Sequence, residues 1–259
     1  MMKVKQIAEW LNQLAPFETA EGFDNVGLLM GDAEAEVHTV VFGMDVTDAL
    51  ADEAIAIGAD LIISHHPFIF HALKRIDYVC PQGRTLCRLA EKRIAVIAAH
   101  TNWDKAPGGV GDSLAAALRL TDVMAADDYV RVGTLPSPMT VSELSAHIRA
   151  CLRIEPRCYP AADGLITRVA AAGGAYGEGY MTALAAGAQA FVVGEIAHHE
   201  ILDAAGRGLT VYDAGHYATE WPGVIALFQR LTVDAQTAGW PIQTHLHTQA
   251  PYAGALLAL

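Results

Sequence analysis

Short apolar runs alternate with amphipathic stretches along this chain, and that alternation constrains its fold more than any other feature. Val37–Met44 (VHTVVFGM) reads as a strand, and Asp48 to about Ile57 as a helix. Asp60–Ser64 (DLIIS) and Ile94–Ala99 (IAVIAA) read as buried strands, with a helix around Gln82–Lys92 between them. Successive parallel strands need a crossover, and a helix is the usual one. The pattern therefore predicts an α/β fold with a mostly parallel sheet flanked by helices.

The pattern continues with interruptions. Asp112–Leu118 is expected to be helical. After residue 125, AADDYVRVGTLPSPMT has the acidic turn and proline pair of a segment that separates units. Beyond it, Val141–Cys151, Met181–Gly187, His198–Ala205 and Val224–Leu231 read as helices. Arg168–Ala172, Ala190–Gly194, Leu209–Tyr212 and Pro241–His247 read as strands. We expect one metal-binding α/β unit from residues 1–125 plus 210–259, and a second α/β unit from 126–209. The metal site is expected at strand ends between the units.

Charge and composition narrow the function. Seventeen basic residues face 29 acidic ones, a net of −12, which argues against nucleic acid or an anionic membrane as the partner. No apolar run approaches the roughly 18 residues that span a bilayer. The N-terminal MMKVKQIAEWLNQL is amphipathic and has no signal-peptide core, so the cytoplasm is the expected compartment. Cys80, Cys87, Cys151 and Cys158 lack metal-knuckle or redox spacing and are expected as reduced thiols packed like small hydrophobes.

Three motifs carry chemistry, each just after an expected strand, where α/β proteins gather their ligands. SHHPF brings His65 and His66, which would fan apart on a regular strand and can serve two neighbouring ions. AAHTNWD brings His100 and Asp104. A carboxylate there can bridge two metals, and His100 is expected to support from the second shell. DAGHYATE brings His216 and Glu220, four apart and on one face if helical, although Pro222 disfavours helix at Trp221 and can instead open the next helix. Nitrogen and oxygen donors without cysteine suit Zn, Fe, Mn, Co or Ni. Glu195 is a further supporting candidate. GGAYGEG resembles a phosphate-cradling loop but lacks the Lys-Ser/Thr of a P-loop, so a tight connection is the favoured reading.

FDNVGLLMGD (23–32), ISHHP (63–67), HTNWD (100–104), GGAYGEG (173–179), GEIAHHEILDA (194–204) and GHYATE (215–220), in this order, resemble the NIF3-like family of dinuclear-metal proteins. Bacterial members of that family include GTP cyclohydrolase 1 type 2 homologs. The resemblance runs almost end to end and implies His65, His66, Asp104, His216 and Glu220 as ligands of two divalent ions. It also implies a toroidal homohexamer with the metal sites facing an internal cavity, and GTP ring opening as the activity. Phe23 stands where tryptophan is common, and Trp221-Pro222 replaces a more flexible stretch. The expected function is a metal-dependent hydrolase acting on a nucleotide or another phosphorylated small molecule. A non-catalytic metal storage, delivery or scaffold protein is the alternative.

Overall fold

The computed structural model describes residues 1–161 and 163–252. Along the chain run β1 (Met2–Lys3), α1 (Val4–Leu14), β2 (Gly27–Met30), β3 (Glu36–Val37), β4 (Thr39–Gly43), α2 (Asp48–Ala56) and β5 (Leu61–Ser64). Then come α3 (Pro81–Glu91), β6 (Ala95–Ala98), α4 (Thr101–Lys105), α5 (Val110–Ala117), β7 (Thr121–Ala125), β8 (Arg131–Met139) and α6 (Val141–Leu152). The rest comprises β9 (Arg157–Tyr159), β10 (Ile166–Ala172), α7 (Tyr180–Ala185), β11 (Ala190–Val193), α8 (His198–Gly206), β12 (Thr210–Asp213), α9 (His216–Ala238) and β13 (Gln243–Leu246).

The chain forms two compact units. The first comprises Met1–Ala106 with Val224–Pro251, and the second is built on Pro107–Gly223. The exchange points thus differ from the expected 125 and 210. Residues 107–125 belong to the second unit because α5 packs on β8 and β10, and β7 hydrogen-bonds to β8. Residues 210–223 belong there because β12 lies between β11 and β9. Residues 253–259, expected in the first unit, lie outside the described residues.

The first unit carries a five-stranded sheet in the order β13-β4-β5-β6-β2. Its four strands β13 to β6 are parallel, as the alternating pattern predicts, and β2 adds an antiparallel edge. Every residue of β5 and β6 is buried, which is why both read as unbroken apolar runs. Val41, Ile62 and Val96 pack with Leu50, Ala54 and Leu89 of α2 and α3, covering one face.

The second unit has a six-stranded sheet, β7-β8-β10-β11-β12-β9, and it is mixed rather than mostly parallel. Only β10, β11 and β12 run parallel to one another. The segment expected to separate the units is instead the nine-residue β8. Pro136 and Pro138 are tolerated because the β8–β10 register shifts there, from the pair Arg168–Thr134 to the pair Ile166–Met139. Among the described residues, no helix is long and apolar enough to cross a membrane.

Candidate metal centre

In the first unit, the functional side chains sit just past strands whose pairing continues beyond their ends. The His65 amide donates to the Gly43 carbonyl at 3.1 Å and the His66 amide to Met44 at 2.9 Å. Ser64 Oγ closes the turn on the His66 carbonyl at 2.8 Å. The two histidines follow the last strand residue, so their rings do not fan to opposite faces. They lie side by side, centroids 5.1 Å apart and tilted by 40°. On the neighbouring strand end, Asn102 donates to the Ala15 carbonyl and accepts from the His100 amide, and Trp103 is buried, so the start of α4 is fixed from below.

Each of these imidazoles has its Nδ1 committed. His65 Nδ1 donates to the Ala99 carbonyl at 2.8 Å, His66 Nδ1 to Asp45 at 2.7 Å, and His100 Nδ1 to Asp24 at 2.9 Å. A carbonyl or carboxylate only accepts, so each Nδ1 is the donor in its bond. The Asp24 side chain is enclosed. Burial pushes its carboxyl up, but hydrogen bonds from His100 and Thr101 outweigh that and hold it well below the usual carboxylate range. One ligand atom from each of His65, His66 and His100 lies within 4.8 Å of the other two, and His65 Nε2 stands 3.4 Å from Asp104 Oδ1. His66 and Asp45 also line a cavity of about 370 Å³, together with Thr47, Phe68, Gln82 and Thr85.

In the second unit the pair His216 and Glu220 opens α9. His216 Nε2 faces Glu220 Oε2 at 3.1 Å, and its Nδ1 donates to Glu195 at 3.0 Å. The helix continues through Pro222, which takes away one backbone donor without ending it, so the pair lies on a full helix rather than in a separate turn. The glycine-rich loop serves this pair by close approach. Gly174 has φ +61°, and a Cβ there would strike the Glu220 carboxylate. Its amide donates to Thr219 Oγ1 at 3.1 Å, and its carbonyl accepts from the Glu195 amide at 2.9 Å.

The three ligand motifs, expected in one unit, therefore divide between two. His65, His66, His100 and Asp104 belong to the first unit, while Glu195, His216 and Glu220 belong to the second. Asp45 went unnoticed in the sequence, although it too follows a strand, β4, in GMDVTD. Of the cysteines, Cys80 is exposed rather than packed, whereas burial pushes the Cys151 and Cys158 thiols up.

The donor set fits a divalent ion. Two ligands bound at about 2.1 Å with angles near 90–110° stand about 3.0–3.4 Å apart, which is the spacing of both imidazole–carboxylate pairs. Fold and site together define a two-unit α/β protein with clustered nitrogen and oxygen donors of metal-binding type. The chain belongs to the Duf34/NIF3 (NGG1p interacting factor 3) family, whose sequence model matches residues 2–251. It is 32% identical to a Streptomyces coelicolor GTP cyclohydrolase 1 type 2 homolog, over 95% of this chain and 91% of the relative. A Clostridium perfringens protein of the same name is 30% identical over 89% of this chain and 91% of its own length. A Bacillus cereus protein related to NIF3 shares the fold with a TM-score of 0.93 at 21% identity, covering 97% of this chain and 98% of that one.

Proposed function

We propose that the chain binds two divalent metal ions through His65, His66, Asp104, His216 and Glu220 and acts as a metal-dependent hydrolase. The observation that carries this reading is the pairing in each unit. His65 Nε2 and Asp104, and His216 Nε2 and Glu220, stand 3.4 and 3.1 Å apart, while the Nδ1 atoms of His65 and His216 are held from behind by Ala99 and Glu195. Hydrogen bonding behind the ring fixes its tautomer and aim before any ion arrives, so less order is lost on binding. Zn, Fe, Mn, Co and Ni all suit such donors.

A pair of such ions, when bound, activates water near neutral pH and stabilises a developing oxyanion. The chain's own groups set the geometry. Asp104 and Glu220 each carry two oxygens and can contact both ions, whereas each imidazole serves one. The substrate class is a nucleotide or another phosphorylated small molecule. The name shared by the Streptomyces and Clostridium relatives supports the nucleotide. A homohexamer, which rests on the family resemblance, completes the proposal.

The test is a hydrolysis screen on nucleoside triphosphates and sugar phosphates with metal-reloaded protein. Turnover should vanish on chelation and in Asp104→Ala. Metal binding without turnover on any of them would leave storage or delivery as the function.

A further inference from the structure

We propose that the cavity at the start of β6 binds a small zwitterion with an apolar body, an α-amino acid of leucine or methionine type. The site is separate from the candidate metal centre. Ile94, which lines the cavity, precedes β6 and His100 follows it, so the two places lie at opposite ends of that strand, on the order of 20 Å apart.

The cavity measures about 490 Å³ and lies among the end of β2, the turn before β3 and the end of α3. Met30, Ala35, Ala90 and the buried Ile94 give it an apolar wall. Two charged side chains of opposite sign complete the lining, Arg93 and Asp32. Among the described residues, neither is engaged in an ion pair.

That is unusual company for an arginine in this chain. Acidic residues outnumber basic ones by 29 to 17, and Arg84, Arg88, Arg131 and Arg207 each reach a carboxylate. Arg93 also occupies a costly place. It follows α3 with φ +57°, where α2 and α8 are followed by Gly58 and Gly208 at φ +67° and +85°. Arg119 and Arg153 end α5 and α6 likewise, and the helix dipole favours a cation there. Arg93 in addition lines the cavity, with its guanidinium fork left for an outside acceptor.

Asp32 is held in place without being neutralised. Its Oδ1 accepts from the Glu34 amide at 2.8 Å. Lys3 and Lys5 adjoin this turn but bind Glu34 instead, at 2.8 and 2.7 Å. The C-terminal end of α3 reaches the same wall through Ala90, and its dipole also favours a positive group. A simple anion would be repelled by Asp32, and a simple cation by Arg93. A zwitterion satisfies both, its carboxylate on the guanidinium, its ammonium on Asp32 and its side chain against Met30 and Ile94.

The experiment titrates the intact wild-type protein with L-leucine and L-methionine by isothermal calorimetry. Isocaproate, isopentylamine and glycine serve as controls, lacking in turn the ammonium, the carboxylate and the apolar side chain. Both amino acids should bind, and each truncated compound should bind at least about tenfold more weakly than leucine. Arg93→Gly removes the guanidinium while relieving the backbone, so the fold is retained, as circular dichroism would check. Arg93→Gly and Asp32→Asn should each weaken leucine by at least about tenfold. Both should keep wild-type zinc binding, since neither touches the candidate metal centre. Absence of saturable binding of either amino acid to the wild type would overturn the site. So would wild-type leucine affinity in folded Arg93→Gly or Asp32→Asn, or isocaproate binding as tightly as leucine. None of these results bears on the metal reading, whose own failure is read in the zinc titration.

Discussion

The candidate metal ligands of the first unit follow buried parallel strands, and those of the second lie in the opening turn of a helix. His65, with a side chain only 1% exposed, leans on the backbone carbonyl of Ala99, one residue past β6. His216 leans on Glu195, a carboxylate 60% exposed to solvent. Water competes for a bond at an exposed carboxylate, so the hold on His216 is the weaker of the two. What fixes the second pair instead is Glu220, buried and enclosed by the glycine loop. One unit therefore positions its imidazoles, and the other positions its carboxylate.

The largest effect expected from this contrast is at the carboxylates. If each carboxylate serves both ions, as proposed, removing Asp104 or Glu220 would take away negative charge that offsets the repulsion between the cations. Asp104→Ala and Glu220→Ala should each lose both metals, while His65→Ala mainly weakens one. Metal analysis of the purified variants after identical loading reads this directly. Two ions retained in both carboxylate variants would end the bridging assignment.

Gly174→Ala probes the carboxylate-holding device of the second unit without touching a donor. The residue must adopt φ +61° and place a methyl against Glu220. A loss of roughly 1–3 kcal/mol in chemical denaturation is expected, together with weaker metal binding. Wild-type stability and affinity would show that the loop yields easily and that Glu220 is not held by it.

Smaller effects belong to the groups behind the imidazoles. Asp45→Ala should weaken metal binding by about tenfold, since Asp45 holds His66 at 2.7 Å beside a cavity wall. Glu195→Ala should cost only a few-fold, because its carboxylate is solvated. Isothermal titration with zinc and manganese separates the two. Equal losses would erase the contrast between the units.

Much of the first unit was legible in the sequence because its strands are buried on both faces. DLIIS and IAVIAA have nowhere to sit but inside, and their ends mark His65, His66 and His100. The second sheet was less legible for particular reasons. All five residues of β7 are exposed, so no periodicity marks it. In β8 the prolines fall where the ladder is already irregular, and they read as a linker. The five ligand candidates were visible as strand-end motifs. Their division between units was not, because LTVY looks like a strand of either sheet until its neighbours β11 and β9 are known. Asp45 was missed since a single aspartate after a strand is also what a helix start requires.

The mildest expected difference lies in the thiols. Cys80, in the first unit, is exposed, whereas burial raises the pKa of Cys151 and Cys158 in the second. A raised pKa leaves less thiolate at a given pH, and thiolate is the reactive form. A thiol reagent at pH 8 should therefore label Cys80 fastest and the second unit's pair slowly, as mass spectrometry of digests would show. Fast labelling of Cys151 and Cys158 would mean that the second unit opens more readily than its packing implies.

The account stands on the chain holding two divalent ions, and the metal content of the intact wild-type chain tests that most directly. Purified protein is stripped, reloaded separately with zinc, manganese or iron(II), freed of unbound ion and measured by elemental analysis against protein concentration. The prediction is about two ions per chain with at least one of these metals. A value well under one with all three would contradict it.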